Sequence, residues 1–312
     1  RAETPQEQFQ LIGAGRRNMI INGDFQVSQR GDYTSATSLP STDTYFVDRW
    51  KFSDTTVSGT ATHSTRMMRL DATSTGTGQV RANQYIEPQN ILPNQTYVLS
   101  AYVRSNKSGA GIAVFDDETS SAGDTDVYTA LHSGSGGWER LSVSFSTRAS
   151  EPYQFFIRFA LTPSGSGSIS SGDYLEISEV QLELGKVATP FEHRSYGEEL
   201  ALCQRYYYQH IDGDNSQVGI GDHWSTSQLN VGFSFPVTMR VTPTLIQNGG
   251  SNHFQSYGGQ EVAKPTGNWQ LWKPTVGRAS LYASSDITIT AGFATRVISI
   301  HPDAFLGFDA EL

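Results

Sequence analysis

Apolar and polar residues alternate along most of the chain, and the period of the alternation is two. In "TYVLSAYVRS", Tyr97, Leu99, Ala101 and Val103 fall on one side of a pleated strand, and Val98, Ser100, Tyr102 and Arg104 on the other. "YQFFIRFAL" repeats the arrangement, with Tyr153, Phe155, Ile157 and Phe159 opposed by Gln154, Phe156, Arg158 and Ala160. Further segments of this kind, among them "GIAVFDDE", "WERLSVSFSTR" and "DYLEISEVQLEL", recur between turn signals, as in a sandwich or barrel. Each sheet then has one core face and one face of polar residues and aromatics. "SGSGG" at 133–137 and "SGSGSISSG" at 164–172 are expected to be hairpin loops, because Gly accepts the positive φ of tight turns.

One stretch, "TPFEHRSYGEELALCQRYYYQH", breaks the pattern with a run of helix formers. Ser195 and Glu198 are spaced as a capping box, and Leu200, Cys203 and Tyr207 share one side with Leu202 and Tyr206 adjacent, so the spacing predicts a helix over about 196–209. Strands then resume in "QLNVGFSFPV", "RVTPTLIQNG", "RASLYA", "DITITAG" and "TRVISIHPD". Leu229, Val231, Phe233 and Phe235 point inward, and Pro236 marks an edge or a strand end. The class is all-β: a connector (1–15), a β-sandwich (16–194), a connecting helix (195–210) and a second, smaller β-sandwich (211–312). The helix is expected to pack one sandwich on the other, or one subunit on its neighbour.

Composition supports this and narrows the partners. Charged residues make up 17% of the 312, well under the usual quarter, and uncharged polar residues suit solvent-facing strands and turns. Net charge is -9, with 16 basic against 21 acidic residues before position 195 and 6 against 10 after it. Neither half carries the basic footprint of a nucleic-acid binder. No apolar run approaches the roughly 20 residues that cross a bilayer, and no signal-peptide pattern opens the chain. It begins with Arg rather than Met, as a fragment or processed product would. Cys203 is the one cysteine, expected to be a small buried hydrophobe.

Catalytic constellations are scarce. Asp116, Asp117, Glu118, Asp124 and Asp126 include carboxylates in the number a glycosidase needs, but their Gly, Ser and Thr-rich setting predicts a solvated acidic loop. No His-Glu-x-x-His, Gly-x-Ser-x-Gly or cysteine pair occurs, the seven histidines are scattered, and His193 is expected to hold the turn between domains. "DGDNSQVGIGDH" starts with calcium-loop spacing but has His223 where a bidentate Glu is required, which excludes an EF-hand. Sugars need aromatic planes for their C–H faces and planar polar partners for their hydroxyls. Tyr102, Arg104, Gln154, Phe156 and Arg158 supply that mixture as one expected face, and an ordinary subunit interface is the competing explanation. A second set is Trp224, His253, Tyr257, Trp269 and Trp272. Trp269 and Trp272, three apart on a strand, face opposite ways, so one belongs to the core; Trp50 and Trp138, at strand starts, are expected in the core too.

"NMIINGDFQVSQRG", then "YFVDRWKF", then "VQLELGKVATPFEHRSYGEELALCQRYYYQ" resemble the C-terminal regions of tailed-phage tail fibres and tailspikes, as do "FSFPVTMRVTPTL" and the terminal "FDAEL". The resemblance implies a jelly-roll module similar to carbohydrate-binding modules, leading through Pro-Phe-Glu-x-Arg and a short helix into a distal β domain. It further implies a virion protein, homotrimeric and non-catalytic, that binds a bacterial surface polysaccharide or lipopolysaccharide and joins other tail proteins through its N-terminal end. Two alternatives stand beside it: the accessory end of a depolymerase with its catalytic domain upstream, and a purely structural trimerisation or particle-attachment domain. No cofactor is implied beyond a structural calcium. Gln26 and Ser178 depart from the residues such a site uses, which leaves Asp24 and Glu179 as its ligands.

Overall fold

In a computed structural model of the protein, residues 17–38, 43–64, 66–117, 125–248, 253–258, 261–266, 268–284, 291–292 and 294–312 are described. The connector at 1–15, Glu118 and Asp124 of the acidic stretch, and most of "DITITAG" lie outside the described residues. The chain divides into one unit that runs to Glu199 and takes in Leu312, and a second over Leu200–Glu311.

The first unit contains β1 (Thr44–Tyr45), β2 (Lys51–Thr55), β3 (Gly59–Ser64), β4 (Met67–Ala72), β5 (Gly76–Ile86), β6 (Thr96–Ser105), β7 (Gly111–Asp117), β8 (Thr125–Leu131), β9 (Trp138–Ser146), β10 (Gln154–Ala160), β11 (Gly167–Ile169) and β12 (Tyr174–Leu184). They form two antiparallel sheets, β1-β2-β5-β10-β7-β8 with β11 on β5, and β3-β4-β12-β6-β9. One core lies between them: Phe52, Val80, Val114, Phe155, Ile157 and Phe159 from the first sheet meet Leu70, Leu99, Val103, Phe145, Ile177 and Leu182 from the second. This is the jelly-roll sandwich that the period-two pattern and the resemblance together predict, and the inward residues of β6 and β10 are those the alternation picks out, except Tyr153, which precedes β10 and is 61% exposed.

Three local expectations change. Residues 133–137 join β8 to β9, which lie in different sheets, so the stretch is a crossover and not a hairpin. His132, 1% exposed, shapes it, accepting from the Gly134 N–H at Nδ1 and bonding the Gly137 carbonyl through Nε2, both at 2.9 Å. The stretch at 164–172 contains β11 and is likewise no single loop. Trp50 is core, with its ring 5.1 Å from Phe25 and 5.6 Å from Phe159. Trp138 is not: it is 45% exposed, because its partner across the strands is Arg104 on the outer side of β6.

The segment after β12 is stitched back onto this unit. Thr189 donates its N–H and hydroxyl to the Glu183 carboxylate at 2.8 and 2.7 Å, and the Glu192 N–H donates to Gln181 Oε1 at 2.8 Å. Glu192 accepts from the Asn18 N–H at 2.6 Å, while Arg194 donates to the carbonyls of Ile20 and Asn18. Outward residues of β6 and β12 beneath this strap, Val98, Ser100, Gln181 and Glu183, are buried in consequence.

Helix α1 (Tyr196–Gln204) starts where the capping box places it, with the Ser195 N–H donating to Glu198 at 3.1 Å. It ends earlier than the predicted 209, because the three tyrosines are committed elsewhere. The Arg205 carbonyl accepts from Arg240, the Tyr206 carbonyl accepts from Ala310, and Tyr207 opens the next strand. Strand pairing thus overrides the local helical preference.

The second unit comprises β13 (Tyr207–Asp212), β14 (Gln217–Ser225), β15 (Gln228–Ser234), β16 (Thr244–Asn248), β17 (Phe254–Gly258), β18 (Glu261–Thr266), β19 (Gln270–Trp272), β20 (Arg278–Ser284), β21 (Ala294–Ser299) and β22 (Phe305–Asp309). A three-stranded sheet, β13-β22-β16, and a seven-stranded sheet, β18-β17-β21-β14-β15-β20-β19, enclose Ile211, Leu229, Val231, Phe254, Trp269, Leu281, Val297, Leu306 and Phe308. No helix of the described residues is long and apolar enough to cross a membrane.

Candidate functional site

Because Phe155, Ile157 and Phe159 fill the core of the first unit, β10 turns Gln154, Phe156 and Arg158 to the outer side of its sheet. The register sets Phe115 and Tyr85 on either side of Phe156, and Ala113 and Asn83 on either side of Arg158. The Phe115 and Phe156 rings stack 4.5 Å apart and 5° from parallel, and Tyr85 joins them at 5.0 Å. The Arg158 guanidinium lies 4.1 Å from the Phe115 ring centroid. Its Nε donates to Asn83 Oδ1 at 3.1 Å. Arg158 is 8% exposed, and no carboxylate of the described residues pairs with it. Burial first, and then the charge of Arg81, push its pKa down to about 10.

Neighbouring strands extend this face. The Lys51 ammonium sits over the rings of Tyr85 and Tyr45 at 5.0 and 5.2 Å, and Arg81 meets Asp43 at 3.7 Å beside Gln79 and Ser53. Rings, amides and cations thus share one surface, the mixture that sugar C–H faces and hydroxyls require. Periodicity selects Gln154, Phe156 and Arg158 but not Tyr45, Lys51, Arg81, Asn83, Tyr85 or Phe115. Each of these alternates correctly within its own strand, and only the strand order makes them neighbours.

Tyr102 and Arg104 do not belong to this face. They lie on β6, in the opposite sheet, and point away from the shared core. There Arg104 and Arg69 clamp Glu176, whose side chain is 3% exposed, and Arg104 also covers Trp138 at 5.3 Å. Burial opposes the charge on Glu176, but the hydrogen bonds from Arg104 and Arg69 outweigh it and hold the carboxyl below its usual range. Tyr102, Trp138, Ser178 and Glu179 line a surface pocket of about 280 Å³.

The acidic stretch is not one solvated loop. Asp116 shares the inward side of β7 with Ile112 and Val114 and is fully buried, and burial pushes its carboxyl up. Asp126, directly across from it, pairs with Arg148 at 3.1 Å, while Asp117 points to the outer face. Asp24 is 2% exposed with Oδ1 unbonded, and Glu179 sits at a bulge with φ 52. Calcium takes roughly six to eight oxygens, so carbonyls and waters would have to complete a set built on these two carboxylates. Among the described residues no three or more His, Cys, Asp or Glu gather as metal ligands.

In the second unit, Trp224, Tyr257 and Trp272 are 71%, 40% and 54% exposed and lie on the outer side of the seven-stranded sheet. Trp269 is the core member of its pair, 1% exposed and packed on Phe254. His253 is half-buried, stacked on His301 at 4.4 Å and bonded to the Asn248 carbonyl.

No protein-family model matches the sequence, and no curated protein matches it. Among solved structures, the enzymatically active domain of tailspike protein 4 from bacteriophage CBA120 is 15% identical at a TM-score of 0.37, over 54% of this chain and 21% of that one. TmCBM61, in complex with β-1,4-galactotriose, is 14% identical at a TM-score of 0.30, over 54% of this chain and 99% of that one. The CBM22-2 xylan-binding domain of Xyn10C from Paenibacillus barcinonensis is 12% identical at 0.32, over 45% and 93%. These are likenesses of low score and identity; the site stands on its own geometry.

Proposed function

We propose that the chain is a non-catalytic glycan-binding module whose site is the outer face of the β10 sheet. Arg158 carries the proposal: a guanidinium taken out of water costs several kcal/mol unless matched, and among the described residues this one has a single amide partner and stacked rings. Such a group is poised for the planar polar edge of a ligand. Gln154 and Asp117 offer further hydroxyl partners beside the rings of Tyr85 and Phe156.

The tail-fibre and tailspike resemblance of "INGDF", "VDRW" and "PFEHR" supports a finer proposal: a homotrimeric receptor-binding protein of a virion, extracellular, holding the particle to a bacterial surface polysaccharide or lipopolysaccharide. A shallow site of about millimolar strength, roughly 4 kcal/mol, gains avidity of about 10² to 10⁴ when copies are linked. Light scattering of the purified chain is then expected to give three times 34.2 kDa, and a monomer contradicts the trimer. An array of bacterial surface polysaccharides tests the site. The wild type is expected to bind a subset without shortening the chains, and Phe156→Ala or Arg158→Gln to lose that binding with unchanged near-UV circular dichroism. Undiminished binding by both variants removes the site from this face.

A further inference from the structure

We infer that the outer face of the seven-stranded sheet in the second unit is a separate binding site, and that it takes an acidic polysaccharide laid across the strands. The register aligns one outward residue from each of six strands. Tyr257 pairs with Arg296, and Arg296 with Ile220. Ile220 continues to Gly232, one step beyond the Gly221 to Val231 pair; Gly232 then pairs with Ser280 and Ser280 with Trp272. At about 4.8 Å per strand, five steps give a track of about 24 Å. A second row beside it, Asp222, Asn230, Tyr282 and Gln270, provides amides, a carboxylate and a phenol for hydroxyls.

The track carries an exposed side chain at each end and Ile220, 68% exposed, near its middle, and drops at Gly232 and Ser280 beside Trp272. Trp272 and Tyr257 are exposed at its two ends, each under a cation: Lys273 lies 5.5 Å from the Trp272 ring and Arg296 5.5 Å from the Tyr257 ring. At the Trp272 end Gly232 and Ser280 floor a pocket of about 490 Å³ that Trp272, Lys273 and Arg278 also line. A Cβ on Gly232 would meet only Ser280 Oγ, at 3.7 Å, so the opening is not filled by neighbouring structure.

Charge selects the ligand. Of the five cations with described side chains in this unit (Arg205, Arg240, Lys273, Arg278, Arg296), three are on this face, against one of six acids (Asp212, Asp214, Asp222, Asp303, Asp309, Glu311). Among the described residues none of the three has an ion-pair partner. A cationic strip on an acidic protein matches a polyanion, exposed rings match sugar faces, and a second copy of this acidic chain would have to bring carboxylates to the contact.

Because recognition starts from charge, common acidic polymers are adequate probes. The full chain is run through native gels containing polygalacturonate, hyaluronan or neutral dextran. Retardation by at least one acidic polymer, absent with dextran and weakening as salt rises, is expected. It should fall at least tenfold in Arg278→Gln/Arg296→Gln and in Gly232→Thr, which fills the floor without removing a contact, and persist in Arg158→Gln. No retardation by either acidic polymer, or equal retardation by dextran, overturns the inference. So does loss of retardation in Arg158→Gln with none in the second-unit variants, which leaves the first-unit site standing alone. A change of mass in the variants with retardation unchanged overturns it too and makes the face an interface between copies.

Discussion

Two tryptophans show what a single residue's position decides. Trp50 and Trp138 both stand at strand starts, but Trp50 is enclosed by Phe25 and Phe159 while Trp138 covers Arg104 on the outer side. Trp50→Ala is therefore expected to cost about 3–5 kcal/mol in a urea titration, and Trp138→Ala to stay within about 1 kcal/mol. Equal losses would contradict the assignment of faces. In the second unit His210 carries a pH dependence. It stacks on Phe233 at 4.8 Å, bonds the Tyr208 hydroxyl and donates to the Val218 carbonyl, and burial pushes its pKa below 6.5. A depressed folded pKa means the contribution to stability is full above about 6.5 and lost as pH falls through the lower value. The thermal midpoint of this unit should drop between pH 7 and pH 5, and His210→Gln should flatten that limb; an unchanged slope refutes the role of His210.

At the scale of elements, α1 was half legible. Its start is written in Ser195 and Glu198, a local device that needs no distant partner. Its end depends on Arg240 and Ala310, far away in sequence, and no local signal in the tyrosine run reports them. The strap before it was legible only as a resemblance. Arg194 and Glu199 form a nearly buried pair at 3.2 Å, and Glu199 also accepts from the Asn22 N–H at 2.5 Å. Burial pushes the Glu199 carboxyl up even so. Arg194→Ala would leave that carboxylate unpaired and release two carbonyls, a loss expected at about 3–5 kcal/mol in first-unit stability. A change under about 1 kcal/mol would show that the strap contributes little.

For the molecule as a whole, period two was enough to predict two sandwiches and most of their core, because burial on one face is a property of each strand alone. Which strands adjoin is not. The grouping of Tyr102 and Arg104 with Phe156 and Arg158 failed for that reason, whereas Trp224, Tyr257 and Trp272 do share a sheet face. Glycan recognition by the first unit is the central claim. It is tested most directly by titration calorimetry of the wild type and Arg158→Gln against the polysaccharide the array identifies. The predicted result is a dissociation constant at least tenfold higher for Arg158→Gln, about 1.4 kcal/mol, with the same melting temperature to within a few degrees. Equal constants for the two proteins would contradict it.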